Sequence, residues 1–288
     1  MAEAPVECVV GHAAAARLAA WLESHSRVAV VTGAGVSTHS GIPDYRDAQG
    51  RWKRPAPIQH SDFVRHARTR QRYWARSFIG WPHFAAAQPN AAHRVLAALG
   101  RGGRIAEVIT QNVDGLHERA GARHVIDLHG RLDRVACLDC GAVESREVYQ
   151  QRLTLANPGW TTRGAHVAPD GDADLQDADY TAFAVPACAR CGGVMKPAVV
   201  FYGGRLDDTT RAAAHAAVTA ADGVLVVGSS LIVWSAYSLV QAAAGRGIPI
   251  VAVNHGRTRA DPVLDFKCDG ECGQLLAVAA AGLGIRTE

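Results

Sequence analysis

The chain has 288 residues, with 30 Lys and Arg against 27 Asp and Glu, a net charge of +3. Its 48% hydrophobic content excludes a disordered chain, since such chains are poor in apolar residues and rich in net charge. So small a charge balance does not imply nucleic acid as the main partner, an inference that needs a concentrated basic surface. No apolar run reaches the ~20 residues of a membrane span, and Met1–Gly11 lacks the basic-then-apolar pattern of an export signal.

In chain order, Ala13–Glu23 reads as a helix and Arg27–Thr32 (RVAVVT) as a strand, followed by Gly33, Ala34 and Gly35. Ala48–Gln88, rich in Arg, Trp, Pro and His, reads as loops and short helices. Next come a helix at Ala91–Leu99, a strand at Ile105–Thr110 ending in Gln111, Asn112 and Asp114, and a strand at Val125–Leu128 ending in His129 and Gly130. Asp133–Lys196 breaks the alternation; it carries two Cys-x-x-Cys pairs and an aperiodic stretch, Asn157–Asp179. The alternation resumes with a helix at Arg211–Ala221, then a strand at Gly223–Val227 ending in Gly228, Ser229 and Ser230. A helix at Ala236–Gly245, a strand at Ile248–Val253 ending in Asn254 and His255, and a helix at Gln274–Ala281 complete the chain.

These strands are continuous apolar runs, as expected where both faces of a sheet are covered. Alternation with helices predicts parallel βαβ units and an α/β fold. In such sheets the ligand crevice lies outside the carboxyl ends of the strands, so all five polar or glycine clusters point to one edge. The division expected is a large domain of residues 1–46, 95–132 and 198–288 and a small inserted domain of residues 47–94 and 133–197.

Cys137, Cys140, Cys188 and Cys191 supply four sulfur ligands, with 47 residues between the pairs. Zinc in a closed, structural site is the favoured reading, and a redox pair the competing one. Seven cysteines, an odd count without an export signal, argue against a disulfide framework and for metal or reactive-thiol roles. Cys8 and Cys268 receive no functional reading. The glycines after the first strand suit close approach of backbone to a pyrophosphate, or simply a tight turn. The amides and carboxylate of Gln111, Asn112 and Asp114 suit a carboxamide and a ribose; Asp114 equally suits the N-cap of a helix at Gly115–Arg119. His129 is either a structural histidine or, with an ordinary pKa near 6.5, a general base. Tyr73 and Arg76 share a helix face, where Arg76 either pairs with a carboxylate or belongs to a solvated basic surface.

The segments GAGVSTHSGIPDYR (Gly33–Arg46), TQNVDGLH (Thr110–His117), LHG (Leu128–Gly130), VVFYGG (Val199–Gly204), VGSSL (Val227–Leu231) and VNHG (Val253–Gly256), with the paired cysteines between them, resemble the sirtuin family of NAD-dependent protein deacylases. RYWARSFIGWPHF (Arg72–Phe84), NPGW (Asn157–Trp160) and APDGD (Ala168–Asp172) are similar to its class II branch. The resemblance implies a Rossmann-like parallel-sheet domain with a smaller inserted zinc-binding domain, and NAD and zinc as cofactors. It implies NAD contacts from Gly33, Ala34, Gly35, Asp44, Tyr45, Arg46, Gln111, Asn112, Asp114, Gly228, Ser229, Ser230, Asn254, His255, Gly256 and Cys272; for Cys272 a plain buried thiol stands equally open.

The resemblance further implies that His129 is the catalytic base, with Asn112 and Asp114 lining the nicotinamide pocket. Acyl-lysine protein or peptide would add as a strand between Val199–Gly204 and Leu231–Val233, touching Val200, Phe201, Tyr202, Gly203, Leu231 and Val233. Gly204 stands where the family usually has an acid, which removes any contact made by that acid. Sirtuins preferring acidic acyl groups carry a Tyr-x-x-Arg pair near Tyr73 and Arg76. The products would be lysine, nicotinamide and O-acyl-ADP-ribose. Protein ADP-ribosyl transfer and a weakly catalytic NAD-sensing module are the alternatives. A zinc dehydrogenase is disfavoured by a closed metal site. The further expectations are a cytoplasmic monomer with no direct contact to nucleic acid or membrane.

Overall fold

The computed structural model describes residues 6–45, 57–160, 166–167, 173–174 and 179–286. The chain runs β1 (Cys8–Val10), α1 (Gly11–Ser24), β2 (Val28–Thr32), α2 (His60–Arg65), α3 (Ala67–Ala86), α4 (Ala91–Arg101), β3 (Ile105–Thr110), α5 (Leu116–Arg119) and β4 (Val125–Asp127). It continues with β5 (Gly130–Cys137), β6 (Val143–Ser145), α6 (Arg146–Ala156), β7 (His166–Val167), β8 (Ala173–Asp174) and β9 (Met195–Val199). α7 (Asp208–Ala220), β10 (Gly223–Val227), α8 (Trp234–Ala244), β11 (Ile250–Val253), β12 (Phe266–Asp269) and α9 (Cys272–Gly282) follow.

Two compact units result. The first comprises Met1–Arg54, Gln88–Leu128 and Leu206–Glu288, the second Pro55–Ala87 and His129–Arg205. These bounds differ from those expected. All of α4 lies in the first unit because Ala92, Val95, Leu96 and Leu99 share a core with α1 and α9. Residues 129–132 and 198–205 lie in the second because β5 pairs with β9 there.

The first unit is built on a seven-stranded sheet in the order β1-β12-β11-β10-β2-β3-β4, with every neighbouring pair parallel. Every residue of β2, β10 and β11 is buried. One face packs on α1, α4 and α9 through Leu18, Leu22, Leu96 and Leu276. The other packs on α7 and α8 through Val218, Leu239 and Val240. β3 and β4 lie to one side of β2, and β10, β11 and β12 to the other, so the order reverses between β2 and β10. In open α/β sheets that switch point is where ligands bind.

The second unit has a three-stranded antiparallel sheet, β6-β5-β9, and the helices α2, α3 and α6. Its core joins Phe63, Tyr73, Trp74, Tyr149, Phe183 and Met195. Where loops and short helices were expected, α3 runs for 20 residues. Its buried Tyr73, Ser77, Trp81 and Phe84 recur at helical spacing, a stripe hidden among arginines. Arg146 is fully buried, its guanidinium 5.4 Å from the Trp74 ring and 5.1 Å from Trp81, donating to Ser77 and Gln150. Within the stretch read as aperiodic, β7 pairs with β8. No helix among the described residues is long and apolar enough to cross a membrane.

Candidate functional site

The turn leaving β2 lies directly against the turn leaving β10. Gly33 N–H donates to Val227 O (3.2 Å) and Gly35 N–H to Gly228 O (2.9 Å). A Cβ on Gly35 would stand 2.9 Å from the Gly228 oxygen, and one on Gly228, at φ +59°, 2.5 Å from the Val36 nitrogen. Glycine is therefore required here by the crossing of two chain segments, independently of any ligand. The segment after Gly33 forms two short 3-10 turns, Ala34–Val36 and Thr38–Ser40. Asp44 and Tyr45 are half-buried; Arg46 lies outside the described residues.

The carboxyl end of β3 brings the amide and carboxylate groups to the same place. Gln111 donates from Nε2 to Ser229 Oγ (2.7 Å) and to Thr32 O (3.1 Å), linking β3, β2 and the turn after β10. Asn112 donates from Nδ2 to Ser37 Oγ (3.0 Å). Asp114 Oδ2 accepts from Ser37 Oγ (2.7 Å) while Oδ1 accepts from Leu116 N (2.9 Å). Asp114 thus closes the turn into α5 and belongs to the polar cluster, but it is not the N-cap expected for a helix at Gly115–Arg119: α5 begins at Leu116 and its N-cap is Gly115, at φ +66°.

Beneath this cluster lie two histidines that the sequence reading passed over. His93 is fully buried and His117 is 1% exposed, with ring centroids 4.8 Å apart. His93 faces Ser37 Oγ from Nε2 (3.4 Å), and His117 faces Thr32 Oγ1 from Nε2 (3.0 Å). His117 Nδ1 is buried with no hydrogen-bond partner. Burial pushes the His93 pKa down to about 2, helped by His117, and burial lowers that of His117 to about 4. Both rings are neutral at physiological pH. The visible signal was Asn90-x-x-His93, a capping-box spacing: Asn90 Oδ1 accepts from Ala92 N, and His93 Nδ1 accepts from Asn90 N.

Across the switch point, Ser229 is nearly buried and Leu231 N–H also donates to its Oγ; the Ser230 carbonyl accepts from Arg259 N. Asn254 turns inward, donating from Nδ2 to the His255 and Gly256 carbonyls. His255 is exposed against Asp269 (3.1 Å), and Gly256 O also accepts from Lys267 Nζ. Cys272 Sγ donates to Val253 O (3.4 Å), and burial pushes its thiol up to about 12, so it stays protonated. Leu231 and Val233 do not form a strand, and the Leu231 side chain is buried at φ +55°.

In the second unit, half-buried His129 directly follows Leu128, and its carbonyl accepts from Val200 N (2.8 Å). At Gly130, with φ +77°, a Cβ would fall 2.1 Å from Ala198 O, so only glycine lets β5 pass β9 there. Of the strand edge expected at Val199–Gly204, only Val199 belongs to a strand, the end of β9. The rest instead forms a turn closed by Gly204 N–H to Phe201 O (2.9 Å), with one bridge from Tyr202 to Gln59. Gly203, at φ +72°, permits that turn. Phe201 is 8% exposed and packs edge-on against Tyr73 and Phe63. Tyr73 is accordingly a core residue, with half-buried Arg76 one turn along α3.

The four cysteine sulfurs lie within 4.8 Å of one another, with Cys137 to Cys191 at 3.6 Å and Cys140 to Cys188 at 3.8 Å. A tetrahedral zinc with ~2.3 Å bonds requires sulfurs about 3.8 Å apart. Both loops have one form. Gly141 N–H donates to Cys137 O and Gly192 N–H to Cys188 O, while Cys137 N–H donates to Ala142 O and Cys188 N–H to Gly193 O. The N–H groups of Arg190 and Cys191 pull the Cys188 thiol down to about 7, whereas the Cys140 thiol first, then the other two, pushes Cys191 up to about 12. Four thiols crowded this way cannot all ionise without a cation, and zinc fits both the spacing and the sulfur chemistry.

A family model described as the Sir2 family matches residues 33–235. The chain is 54% identical over 257 residues to the NAD-dependent protein deacetylase of Xanthomonas axonopodis pv. citri, covering 89% of this chain and 88% of the relative. It is 48% identical over 253 residues to the bovine NAD-dependent protein lipoamidase sirtuin-4, mitochondrial, covering 87% and 80%. A solved Sir2 structure with deacetylated p53 peptide and 3′-O-acetyl ADP-ribose superposes with a TM-score of 0.77 at 29% identity, covering 94% of this chain and 98% of that one. A Sir2 homologue–NAD complex gives 0.72 at 30% identity, covering 93% and 94%. With the switch-point crevice, the four-thiol centre and these likenesses together, the chain belongs to the Sir2 family.

Proposed function

We infer that this chain is an NAD-dependent protein-lysine deacylase, releasing lysine, nicotinamide and O-acyl-ADP-ribose. The carrying observation is the cluster of Asn112, Ser37 and Asp114 at the sheet's switch point, in a chain 54% identical to an NAD-dependent protein deacetylase. NAD supplies the ribose carbon that receives the acyl oxygen as nicotinamide departs. Gly33, Ala34, Gly35, Gly228, Ser229 and Ser230 form the rim that holds the phosphates, while Gln111, Asn112 and Asp114 orient the nicotinamide ribose. Asp44, Tyr45 and Arg46, from the same loop, complete the cofactor set, with Asn254, His255, Gly256 and Cys272 at the adenosine end. His129 accepts the proton of a ribose hydroxyl, help worth about 10²–10⁴-fold in rate. The zinc holds the second unit's fold and takes no part in the chemistry.

The substrate is an acyl-lysine segment of a protein, held through the backbone near Val200–Gly203 and Leu231–Val233. Tyr73 and Arg76 set the acyl preference, with Arg76 the reader of an acidic acyl group. The protein acts as a cytoplasmic monomer.

The test is replacement of His129 by Tyr or Ala. NAD affinity by calorimetry is expected to stay within a few fold while release of nicotinamide from NAD and acetyl-lysine peptide is lost; retained turnover removes His129 from the base role. A panel of acetyl, succinyl, glutaryl and lipoyl peptides with Arg76→Met then decides the acyl reading. Label from NAD on protein, instead of in a small product, would favour ADP-ribosyl transfer.

A further inference from the structure

We propose that His93 is a positioning residue for Asn112 and Asp114, acting on both through the hydroxyl of Ser37. A chain of hydrogen bonds runs from the Asn90 backbone to Asp114, and its direction follows from the one donor that cannot reverse. Asn90 N–H is a donor and points at His93 Nδ1 (3.3 Å), so Nδ1 is the acceptor nitrogen. A neutral imidazole then carries its proton on Nε2, which faces Ser37 Oγ. Asn112 Nδ2 also donates to Ser37 Oγ. With both lone pairs of the hydroxyl taken, its single proton goes to Asp114 Oδ2 at 2.7 Å, and Leu116 N–H takes Oδ1.

Water does not compete at the His93–Ser37 end of this chain, because His93 is fully buried and Ser37 is 1% exposed, while Asn112 and Asp114 are half-buried. The His93–Ser37 bond is long, so its consequence is orientation more than binding energy. Asn90 further ties the start of α4 to the turn after β2, donating from Nδ2 to Val36 O (2.8 Å) and Ser40 Oγ (3.0 Å). Desolvation keeps the ring neutral, so the tautomer, and with it the Ser37 hydroxyl, does not switch across the working pH range.

This inference rests on the reading that Asn112 and Asp114 serve the nicotinamide end of NAD. His93 has two jobs that two substitutions separate. His93→Gln offers an amide where Nε2 stood and keeps the link to Ser37. His93→Asn reaches only the Nδ1 position and keeps the link to the Asn90 backbone, the helix cap. Positioning predicts that kcat/KM for NAD falls about 3–10-fold in His93→Asn and His93→Phe, and that His93→Gln recovers most of the loss even though its melting temperature is the lower of the two amide variants. With Ser37→Ala in place, His93→Asn is expected to add less than about twofold. The side-chain amide protons of Asn112 give a readout independent of turnover: slow exchange in the wild type and His93→Gln, fast exchange in His93→Asn and His93→Phe.

Recovery by Asn and not by Gln would reduce His93 to a helix cap and overturn the proposal. So would losses that add fully in the double variant. A wild-type protein with no affinity for NAD would overturn the functional reading alone; the Asn112 exchange rates would still decide the role of His93.

Discussion

At the carboxyl ends of β2, β3, β10 and β11, the first unit fixes its polar side chains with partners supplied by the folded chain itself: Ser37 for Asn112 and Asp114, Ser229 for Gln111, and backbone carbonyls for Asn254. Around Cys137, Cys140, Cys188 and Cys191 the second unit crowds four thiols within 4.8 Å, where each raises the cost of ionising the next. The first arrangement is self-sufficient, since every direction in it is dictated by covalent geometry and burial. The second is a ligand set whose members repel once ionised, and it becomes favourable only around a cation. One chain therefore holds a site that folding completes and a site that a metal completes.

The largest expected effect breaks this contrast outright. Removing zinc with a strong chelator, or replacing Cys188 by Ser, is expected to abolish the near-ultraviolet circular dichroism of the Trp74, Tyr149 and Phe183 cluster. That core includes Cys137 and Cys188 themselves. The unfolding midpoint of the second unit should fall by more than about 10 °C, while far-ultraviolet signal from the parallel sheet persists. Metal analysis of the purified protein should return one zinc per chain. A second unit that keeps its aromatic signal after the metal is stripped would contradict the comparison.

Glycine substitutions probe the self-sufficient side at the next scale. Gly228→Ala combines φ +59° with a Cβ 2.5 Å from the Val36 nitrogen, and backbone cannot retreat as a side chain can. We expect about 3 kcal/mol or more of destabilisation in urea titrations. Gly41→Ala is the control: its φ is +82° but nothing lies within 4 Å of the added carbon, so only the left-handed conformation costs, about 1 kcal/mol. Equal costs would mean that the crossing of the two turns is not what fixes the crevice.

What was legible in the sequence follows the same divide. β2, β3, β10 and β11 were readable because strands covered on both faces are uninterrupted apolar runs. β1 and β12 were not, being a three-residue edge and the mixed run Phe-Lys-Cys-Asp, whose Lys267 is buried only because it pairs with Asp261. The thiol centre was legible from spacing alone, because two residues between cysteines already imply a knuckle. The Ser37–His93–Asp114 cluster was not, because its members come from three segments that only the folded sheet brings together. His93 lies inside the helix read at Ala91–Leu99, where nothing in the local spacing singles it out as a partner of Ser37. The glycines after β2 read equally as room for a ligand and as a tight turn; that they also let the turn after β10 cross at Gly228 shows only in the fold. The helix carrying Tyr73 and Arg76 was legible, but the 20-residue length of α3 and its core face were not, because its arginines mask the aromatic stripe.

The smallest effect tests whether the two histidines under the crevice are as sealed as their burial implies. An imidazole in the unfolded chain titrates near 6.5, while His93 and His117 are held down to about 2 and about 4 in the fold. Above pH 6.5 both states are neutral and the rings contribute no pH dependence. Below it the unfolded chain takes up protons that the native protein refuses, so stability falls with falling pH, and keeps falling until the native pKa of each ring is reached. At pH 5.5 this amounts to about 1.4 kcal/mol for each ring. Other groups add their own slopes, so the difference between wild type and His93→Gln is the informative quantity. Urea midpoints collected from pH 8 to pH 5 should run parallel above pH 7 and converge below 6.5, the variant losing less because one of the two refused protons is gone. Profiles that stay parallel to pH 5 would mean that His93 accepts a proton in the folded state. The Nε2–H tautomer would then no longer be the ring's only form, and the polarity of the Ser37 hydroxyl would depend on pH.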